Sequence, residues 1–283
     1  MKMRCRLKAR VLRALRVTAA AVLLISLTSP PASGARASGA LTSLPASGVL
    51  PASGAPDPGP AGPSRGGTDI AGGETVSIDE APFAVQIAYD TAGTRVACTG
   101  SQISASWVIT ARHCDSASLR SVRLDTPYLG AGGLVRTIAA RYPSPVGDVL
   151  LLKLSTPHPG IYAGMSRTFP AAGSPARVFG WGDETEGAGA MSVQVKAAGV
   201  EVSGQGSDAF GGLSVRTQSR TGHPLAGDSG GPLIVGGKLV GVLSTSSVLP
   251  GGLPSSFTGF YNDHAAVSRH LGWITLVTGV GAD

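Results

Sequence analysis

From residue 70 onward, short apolar runs alternate with clusters of Gly, Pro, Asp and Ser. Such runs between turn-forming residues predict β-strands, because a strand needs few residues and ends where the chain turns. The predicted strands are 83–89, 106–111, 148–154, 176–181, 191–202, 233–235 and 239–244. Helical periodicity is convincing only over 262–274. The pattern therefore predicts an all-β barrel or sandwich with one helix near its end.

The composition fits a turn-rich β protein and argues against a nucleic-acid-binding one. Of 283 residues, 41 are Gly and 20 are Pro, and 14% are charged. The formal net charge of +6 arises at the N-terminus, since residues 1–69 hold nine Lys/Arg against two Asp/Glu. Residues 70–283 hold fourteen Lys/Arg against fifteen Asp/Glu. We therefore expect no phosphate-binding surface and no nucleic-acid partner.

The first 37 residues have the three parts of a secretory signal peptide. A cationic stretch over 1–16 precedes an apolar run of eleven residues over 17–27, and Ala35-Arg36-Ala37 fits a cleavage site. The alternative is an uncleaved anchor, but a run this short does not cross a bilayer as a permanent helix. We expect residues 1–37 to be removed and the protein to be secreted, extracellular and without a stable membrane anchor.

Residues 38–69 are dominated by Pro, Ala, Ser and Gly. The tetrapeptide PASG occurs at 31–34, 45–48 and 51–54. Such a segment buries too little apolar surface to offset the entropy of ordering it. We expect a disordered linker or propeptide over 38–69 and a folded domain over 70–283.

Ser229 lies in the stretch GDSGGP and is the candidate nucleophile. The pattern also fits the nucleophile elbow of α/β-hydrolases, but that elbow requires a helix directly after the serine. Here Gly230, Gly231 and Pro232 follow, which is a poor helix start. The remaining order is His, Asp, Ser, with His113 at the end of one apolar run and Asp148 at the start of another.

This order supplies the chemistry that a serine nucleophile needs. A serine hydroxyl is a weak nucleophile near neutral pH and requires a base, for which an imidazole is suited. A buried carboxylate on the other ring nitrogen fixes the tautomer. Asp115 and Asp125 are the rivals of Asp148 for this role. Asp115 is too close in sequence to curl back onto His113, and Asp125 has no apolar run behind it.

At these residues the chain resembles the chymotrypsin-fold (trypsin-like) serine proteases. The resemblance is carried in order by TARHC (110–114), GDVLLLKL (147–154), FGWG (179–182) and GDSGGP (227–232). VGVLS (240–244) and GFY (259–261) also resemble family segments. The resemblance implies two antiparallel six-stranded Greek-key β-barrels, about 70–165 and about 166–261. The active site would lie in the cleft between them, with a C-terminal helix about 262–274.

The resemblance also assigns roles. His113 is the general base, Asp148 its orienter and Ser229 the nucleophile, while the backbone N–H groups of Gly227 and Ser229 form the oxyanion hole. Outside the leader, Cys98 and Cys114 are an even pair that is either bridged or left as two buried thiols. The family has a bridge at this place. Its bridge beside the serine is absent, since Leu225 replaces the cysteine, and this sparse bridging indicates a bacterial type.

Activation in the family depends on a new N-terminus. The segment DIAGGE (69–74) resembles the family start, so the amine of Ile70 is expected to pair with the carboxylate of Asp228 after cleavage. An unpaired carboxylate at that place would be costly. Asp69 precedes Ile70 where a Lys or Arg is usual, so another protease would cut there, or Ile70 is not the mature terminus and Arg65 offers an alternative basic cut upstream.

The residues expected to bind the substrate differ from those that are usual in the family. The resemblance places five of them there: His223, Ser244, Thr245, Ser246 and Gly259. His223 stands where trypsins carry Asp, so cleavage after Lys or Arg is not expected. The loop before Ser229 leaves two alternatives, in which His223 faces the substrate or lies on the surface. We expect a small or polar side chain before the scissile bond.

Together these features predict a secreted serine endopeptidase that acts through an acyl-enzyme. The alternative is a protease-like binding protein of the same fold without useful turnover. We expect no metal and no cofactor, because the five histidines form no metal-binding motif. The expected partners are a protein or peptide substrate and an activating protease, and the expected state is a monomer.

Overall fold

The computed structural model describes residues 70–187, 189–248 and 257–282. The predicted signal peptide and linker lie outside these residues. The strands are β1 (Glu74–Thr75), β2 (Ala84–Ala88), β3 (Val96–Ser104), β4 (Trp107–Thr110), β5 (Ser121–Leu124), β6 (Leu134–Pro143), β7 (Leu150–Leu154), β8 (Pro175–Gly180), β9 (Lys196–Ser207), β10 (Leu213–Ser219), β11 (Pro232–Val235), β12 (Lys238–Val248) and β13 (Phe260–Ala266). The helices are three short 3-10 segments, Ile78–Glu80, Arg112–Cys114 and Phe257–Gly259, and α1 (Val267–Thr278).

The first barrel closes in the order β2-β3-β4-β7-β6-β5, with every neighbouring pair antiparallel. Leu150, Leu151 and Leu152 of β7 are all fully buried, so this strand is covered on both faces. That explains why its sequence is continuously apolar instead of alternating. Ile274 of α1 belongs to the same apolar cluster, which anchors the helix against the core.

The second barrel closes in the order β8-β9-β10-β13-β12-β11, and β1 adds to the edge of β9. Its core holds Val178, Val200, Val215 and Leu233, together with Ile70. Two closed six-stranded antiparallel barrels and one C-terminal helix confirm the predicted fold class. Within the described ranges, no helix is both long and apolar enough to cross a membrane.

The predicted helix over 262–274 is wrong at its start. Residues 260–266 form β13, which pairs with β10 and β12, and the helix begins only at Val267. The polar residues that mimicked an exposed helix face are buried and paired. Ser214 Oγ donates to the Asp263 carboxylate at 2.5 Å, and Thr217 Oγ1 lies 3.1 Å from His264 Nε2. The second barrel therefore continues to Ala266, past the expected end at 261.

Candidate active site

His113, Asp148 and Ser229 each lie at the end or start of a strand. His113 is in the 3-10 segment that follows β4, Asp148 lies shortly before β7, and Ser229 lies in the turn before β11. Hydrogen bonds from β3 of the first barrel reach the serine turn of the second. The Thr99 N–H donates to the Ser229 carbonyl at 2.9 Å, and Thr99 Oγ1 donates to the Gly227 carbonyl at 3.0 Å.

A disulfide joins Cys98 and Cys114, as predicted. Cys114 follows His113 directly, and its Sγ lies 3.8 Å from the Ser229 carbonyl oxygen. The bridge therefore brings the histidine segment and the serine turn together. Of the two alternatives for these cysteines, the bridged state is the one present.

Asp148 holds His113 through two hydrogen bonds. His113 Nδ1 lies 2.7 Å from Asp148 Oδ2, and the His113 backbone N–H donates to Oδ1 at 2.8 Å. Ser244 Oγ donates to Oδ2 at 2.6 Å. Asp148 is fully buried, whereas the His113 side chain is 30% exposed. Burial alone would raise the pKa of Asp148, but the hydrogen bonds from His113 and Ser244 outweigh it and lower that pKa.

The predicted rivals of Asp148 have other partners. Asp115 pairs with Arg141 at 2.7 Å, and Asp125 Oδ2 lies 2.8 Å from His158 Nε2. Both carboxylates therefore contact other basic side chains and not His113.

The serine turn requires glycine at position 227. Gly227 has φ of 97°, a backbone conformation that side chains with a Cβ rarely adopt. A Cβ there would also lie 2.7 Å from Met191 Cε and 3.0 Å from Gly182 Cα. The Gly227 carbonyl is held by Thr99, so the orientation of this turn is fixed from the neighbouring barrel.

Asp228 is a buried carboxylate without a hydrogen-bonded cation among the described residues. Its Oδ1 accepts from the Gly182 N–H at 2.7 Å and its Oδ2 from the Leu225 N–H at 3.0 Å. A Cβ at Gly180 or Gly182 would lie 2.1 or 2.3 Å from its oxygens, which explains both glycines of FGWG. Burial raises the pKa of Asp228 to about 7. Ile70 is fully buried and lines the same internal pocket as Asp228.

A cavity of about 300 Å³ opens beside Ser229. Four of the five predicted substrate residues line it: His223, Ser244, Thr245 and Ser246. Gly259 does not appear in its lining, which instead includes the adjacent Phe260. The acidic residues Asp183 and Glu186 also border the cavity.

The comparisons with known proteins agree on one family. Residues 70–271 match the family model described as Trypsin. The chain belongs to the trypsin family. Trypsin alpha of Drosophila erecta is 33% identical over 221 residues, which cover 70% of this chain and 84% of that protein. Trypsin alpha-4 of Lucilia cuprina is 30% identical over 221 residues, with the same coverage.

A solved structure supports the same fold. Neuropsin, described as a serine protease expressed in the limbic system of mouse brain, superposes with a TM-score of 0.62. The match covers 72% of this chain and 98% of that one at 22% identity. With the family match, the chain is a serine endopeptidase. The curated relatives named here are insect trypsins, so the expectation of a bacterial type is unsupported and is withdrawn.

The pocket departs from the trypsin-family habit at His223. This side chain is 5% exposed, and its ring stacks on Phe260 with 3.7 Å between centroids. Neither ring nitrogen has a hydrogen-bond partner among the described residues. Burial lowers the pKa of His223, and nearby Glu186 opposes that shift. His223 is therefore a buried residue of the cavity lining, and the alternative of a surface loop histidine is wrong.

Two residues of this trypsin-family site escaped the sequence reasoning. Phe260 follows Gly259 directly, and its aromatic character was the available signal. Asp208 lies in the turn between β9 and β10, and its carboxylate accepts from the Asp148 N–H at 3.0 Å. The sequence DAFGG marks a tight turn there, but nothing local links it to a residue 60 positions earlier.

Proposed function

We propose that this trypsin-family domain hydrolyses peptide bonds of protein substrates through an acyl-enzyme formed on Ser229. In this reaction His113 takes the serine proton and later donates it to the leaving amine. Asp148 orients the imidazole. The observation that carries the proposal is the bond from His113 Nδ1 to the buried Asp148 at 2.7 Å. This hydrogen bond occupies Nδ1, so Nε2 is the nitrogen that acts as base toward Ser229.

Stabilisation of the tetrahedral intermediate is assigned to the backbone N–H groups of Gly227 and Ser229. Such donors act on charge that appears only in the transition state, and removing one typically costs about 3 kcal/mol. Thr99 holds the carbonyls of Gly227 and Ser229, and these two hydrogen bonds support the role because they fix the turn that carries both N–H groups.

Export and activation form the second part of the proposal. The N-terminal leader and the Cys98–Cys114 bridge both favour secretion to an oxidising, extracellular compartment. Cleavage before Ile70 would convert its amide nitrogen to an ammonium group beside Asp228. The buried carboxylate favours such a cation, since its amide hydrogen bonds alone leave its pKa raised. Because Asp69 precedes Ile70, the activating protease is a different enzyme from one that cuts after Lys or Arg.

For the side chain before the scissile bond we propose an uncharged polar group. Burial lowers the pKa of His223 and favours its uncharged form, and both of its ring nitrogens are shielded from solvent, so it presents neither a cation nor an anion to the substrate. Ser246 adds a hydroxyl group to the lining, whereas the Ser244 hydroxyl is already bonded to Asp148. Asp183 and Glu186 border the cavity and disfavour a carboxylate side chain.

A fluorophosphonate probe tests the catalytic proposal. Protein that begins at Ile70 should be labelled, and Ser229→Ala should abolish labelling while His223→Ala preserves it. A protease-like binding protein without turnover would resist labelling in its correctly processed form. That result would refute the catalytic assignment of Ser229.

A further inference from the structure

We propose that Asp208 is a positioning residue that holds the catalytic Asp148 in place from the turn between β9 and β10, an inference that rests on the proposed function. Asp208 itself does not contact the reacting atoms. Asp208 is 5% exposed, and among the described residues its carboxylate accepts hydrogen bonds from three backbone N–H groups.

The two carboxylate oxygens of Asp208 have different partners. Oδ1 accepts from the N–H groups of Phe210 and Gly212 at 2.9 and 2.8 Å, which closes the turn. Oδ2 accepts from the Asp148 N–H at 3.0 Å. One oxygen therefore fixes the turn, and the other fixes the backbone of the residue that orients His113.

The same turn also reaches the side chain of Asp148. The Ala209 N–H donates to Ser244 Oγ at 2.9 Å, and Ser244 Oγ donates to Asp148 Oδ2 at 2.6 Å. Asp148 is thus held at its backbone through Asp208 and at its carboxylate through Ser244. Both paths begin on adjacent residues of one turn, so a shift of that turn would move the carboxylate that orients His113.

Two glycines make room for this contact. A Cβ on Gly147 would lie 2.6 Å from Asp208 Oδ2, and a Cβ on Gly212 would lie 2.4 Å from it. Larger residues at either position would push the carboxylate away. The glycine directly before Asp148 therefore has a physical explanation in Asp208.

Two basic side chains lie near this contact, Arg112 and His270 of α1. The Arg112 guanidinium lies 4.4 Å from the Phe210 ring centroid and donates to the Ser144 carbonyl at 3.0 Å. His270 is 1% exposed, its Nδ1 lies 2.9 Å from Ser144 Oγ, and a Cβ on Gly147 would lie 3.1 Å from its Nε2. Burial lowers the pKa of His270, Asp208 and Asp148 oppose that shift, and Arg269 adds to it. Within the described ranges, the carboxylates of Asp208 and Asp148 therefore have no hydrogen bond to a basic side chain apart from the His113 contact.

The test is Asp208→Asn in protein that begins at Ile70. Asparagine has one carbonyl oxygen, so if it keeps the turn hydrogen bonds its amino group faces the Asp148 N–H, and that contact is lost. We expect kcat/KM on a peptide substrate to fall about tenfold to a hundredfold, because losing a charged hydrogen bond or misplacing a catalytic group has effects of this size. The loss should appear in kcat, with rates normalised to active sites titrated by fluorophosphonate.

The pH profile supplies a readout that a purely structural role would not change. A less well-held Asp148 stabilises the imidazolium of His113 less, so the acid limb of kcat/KM should move to lower pH. The control is Asp263→Asn, which removes another buried carboxylate, one that pairs with Arg216 and Ser214 and not with Asp148. This control should keep the normal pH limb per titrated site.

The outcomes separate the two proposals. If the wild-type protein neither hydrolyses peptides nor reacts with the probe, the proposed function fails. If it is active and Asp208→Asn keeps kcat and the acid limb, or if Asp263→Asn has the same effects, the positioning role of Asp208 is overturned. Should Asp208→Asn fail to fold, Gly147→Ala displaces the same carboxylate by steric contact. It should give the same loss of kcat and the same shift, and normal values would equally overturn the role.

Discussion

The uncleaved protein should lose stability as the pH rises, because Asp228 is held in its protonated form in the folded state. In the intact chain Ile70 carries an amide nitrogen, and burial raises the pKa of Asp228 from its ordinary value of 3.8 to about 7. This difference is about 3 pKa units, and at about 1.4 kcal/mol per unit it corresponds to roughly 4 kcal/mol. A raised folded-state pKa means that the folded state binds more protons, so this contribution is complete below 3.8 and is lost as the pH rises to about 7.

Cleavage before Ile70 should remove most of this loss. The new α-amino group is largely charged near neutral pH, and its ammonium would stabilise the ionised carboxylate. The measurement is urea unfolding between about pH 4 and pH 7. It uses Ser229→Ala protein with Asp69→Lys, so that an external Lys-specific protease can cut before Ile70. The uncleaved form should lose roughly 4 kcal/mol more than the cleaved form over this range.

Asp228→Asn is the control for this experiment. Without a titrating group, the uncleaved protein should show the flatter pH dependence of the cleaved one. Equal slopes in the cleaved and uncleaved forms, or a slope that survives Asp228→Asn, would refute the assignment of the pH dependence to Asp228 and Ile70.

Three further predictions follow from the site. Replacing both Cys98 and Cys114 by Ser should lower the free energy of unfolding by roughly 3 kcal/mol, because the bridge closes a short loop; an unchanged urea midpoint would contradict this. Gly227→Ala should lower kcat by about a hundredfold in a peptide assay, since φ of 97° and contact with Met191 displace the turn; near-normal kcat would argue against the oxyanion assignment. Peptides with Gln before the scissile bond should be cleaved about tenfold faster than matched Glu peptides near pH 8, and the ratio should fall as acid protonates His223; His223→Leu should abolish the pH dependence of that ratio, and a ratio independent of pH in the wild type would exclude His223 as a determinant of this preference.

The triad candidates could be predicted from sequence because each lies in a short segment beside a predicted strand. His113 ends the run of β4, Asp148 precedes the buried run of β7, and Ser229 lies in a glycine-rich turn. The residues that flank each candidate in the chain are enough to predict its role. The motif also places Gly227 in the serine turn, although the atoms that a Cβ there would contact belong to Met191 and Gly182, which are distant in the chain.

The start of α1 could not be predicted from the same kind of pattern. Asn262, Asp263 and His264 are polar yet buried, and each has a hydrogen-bonding contact with a side chain of β10, namely Ser219, Ser214 and Thr217. Hydrophobic periodicity assumes that polar residues face water, so it assigned these residues to an exposed helix face. Only the pairing of β13 with β10 reveals why they are inside.

Long-range contacts explain the remaining misses. Asp208 matters through a hydrogen bond to a residue far earlier in the chain, and the surroundings of His223 depend on Phe260, which comes from β13. Neither relation leaves a local signature. The sequence therefore predicts the candidate triad but not the side chains that support it or the character of the pocket.

Thr99 ties the chemistry to the boundary between the two barrels. Its N–H and Oγ1 hold the carbonyls of Ser229 and Gly227, its own carbonyl accepts from Thr110 Oγ1 at 2.7 Å, and its neighbour Cys98 is bridged beside His113. Thr99 therefore links the segment that carries the proposed base to the turn that carries the proposed nucleophile. The proposed active centre therefore needs both barrels in contact. A chain cut between β7 and β8 should regain activity only when its two fragments reassociate.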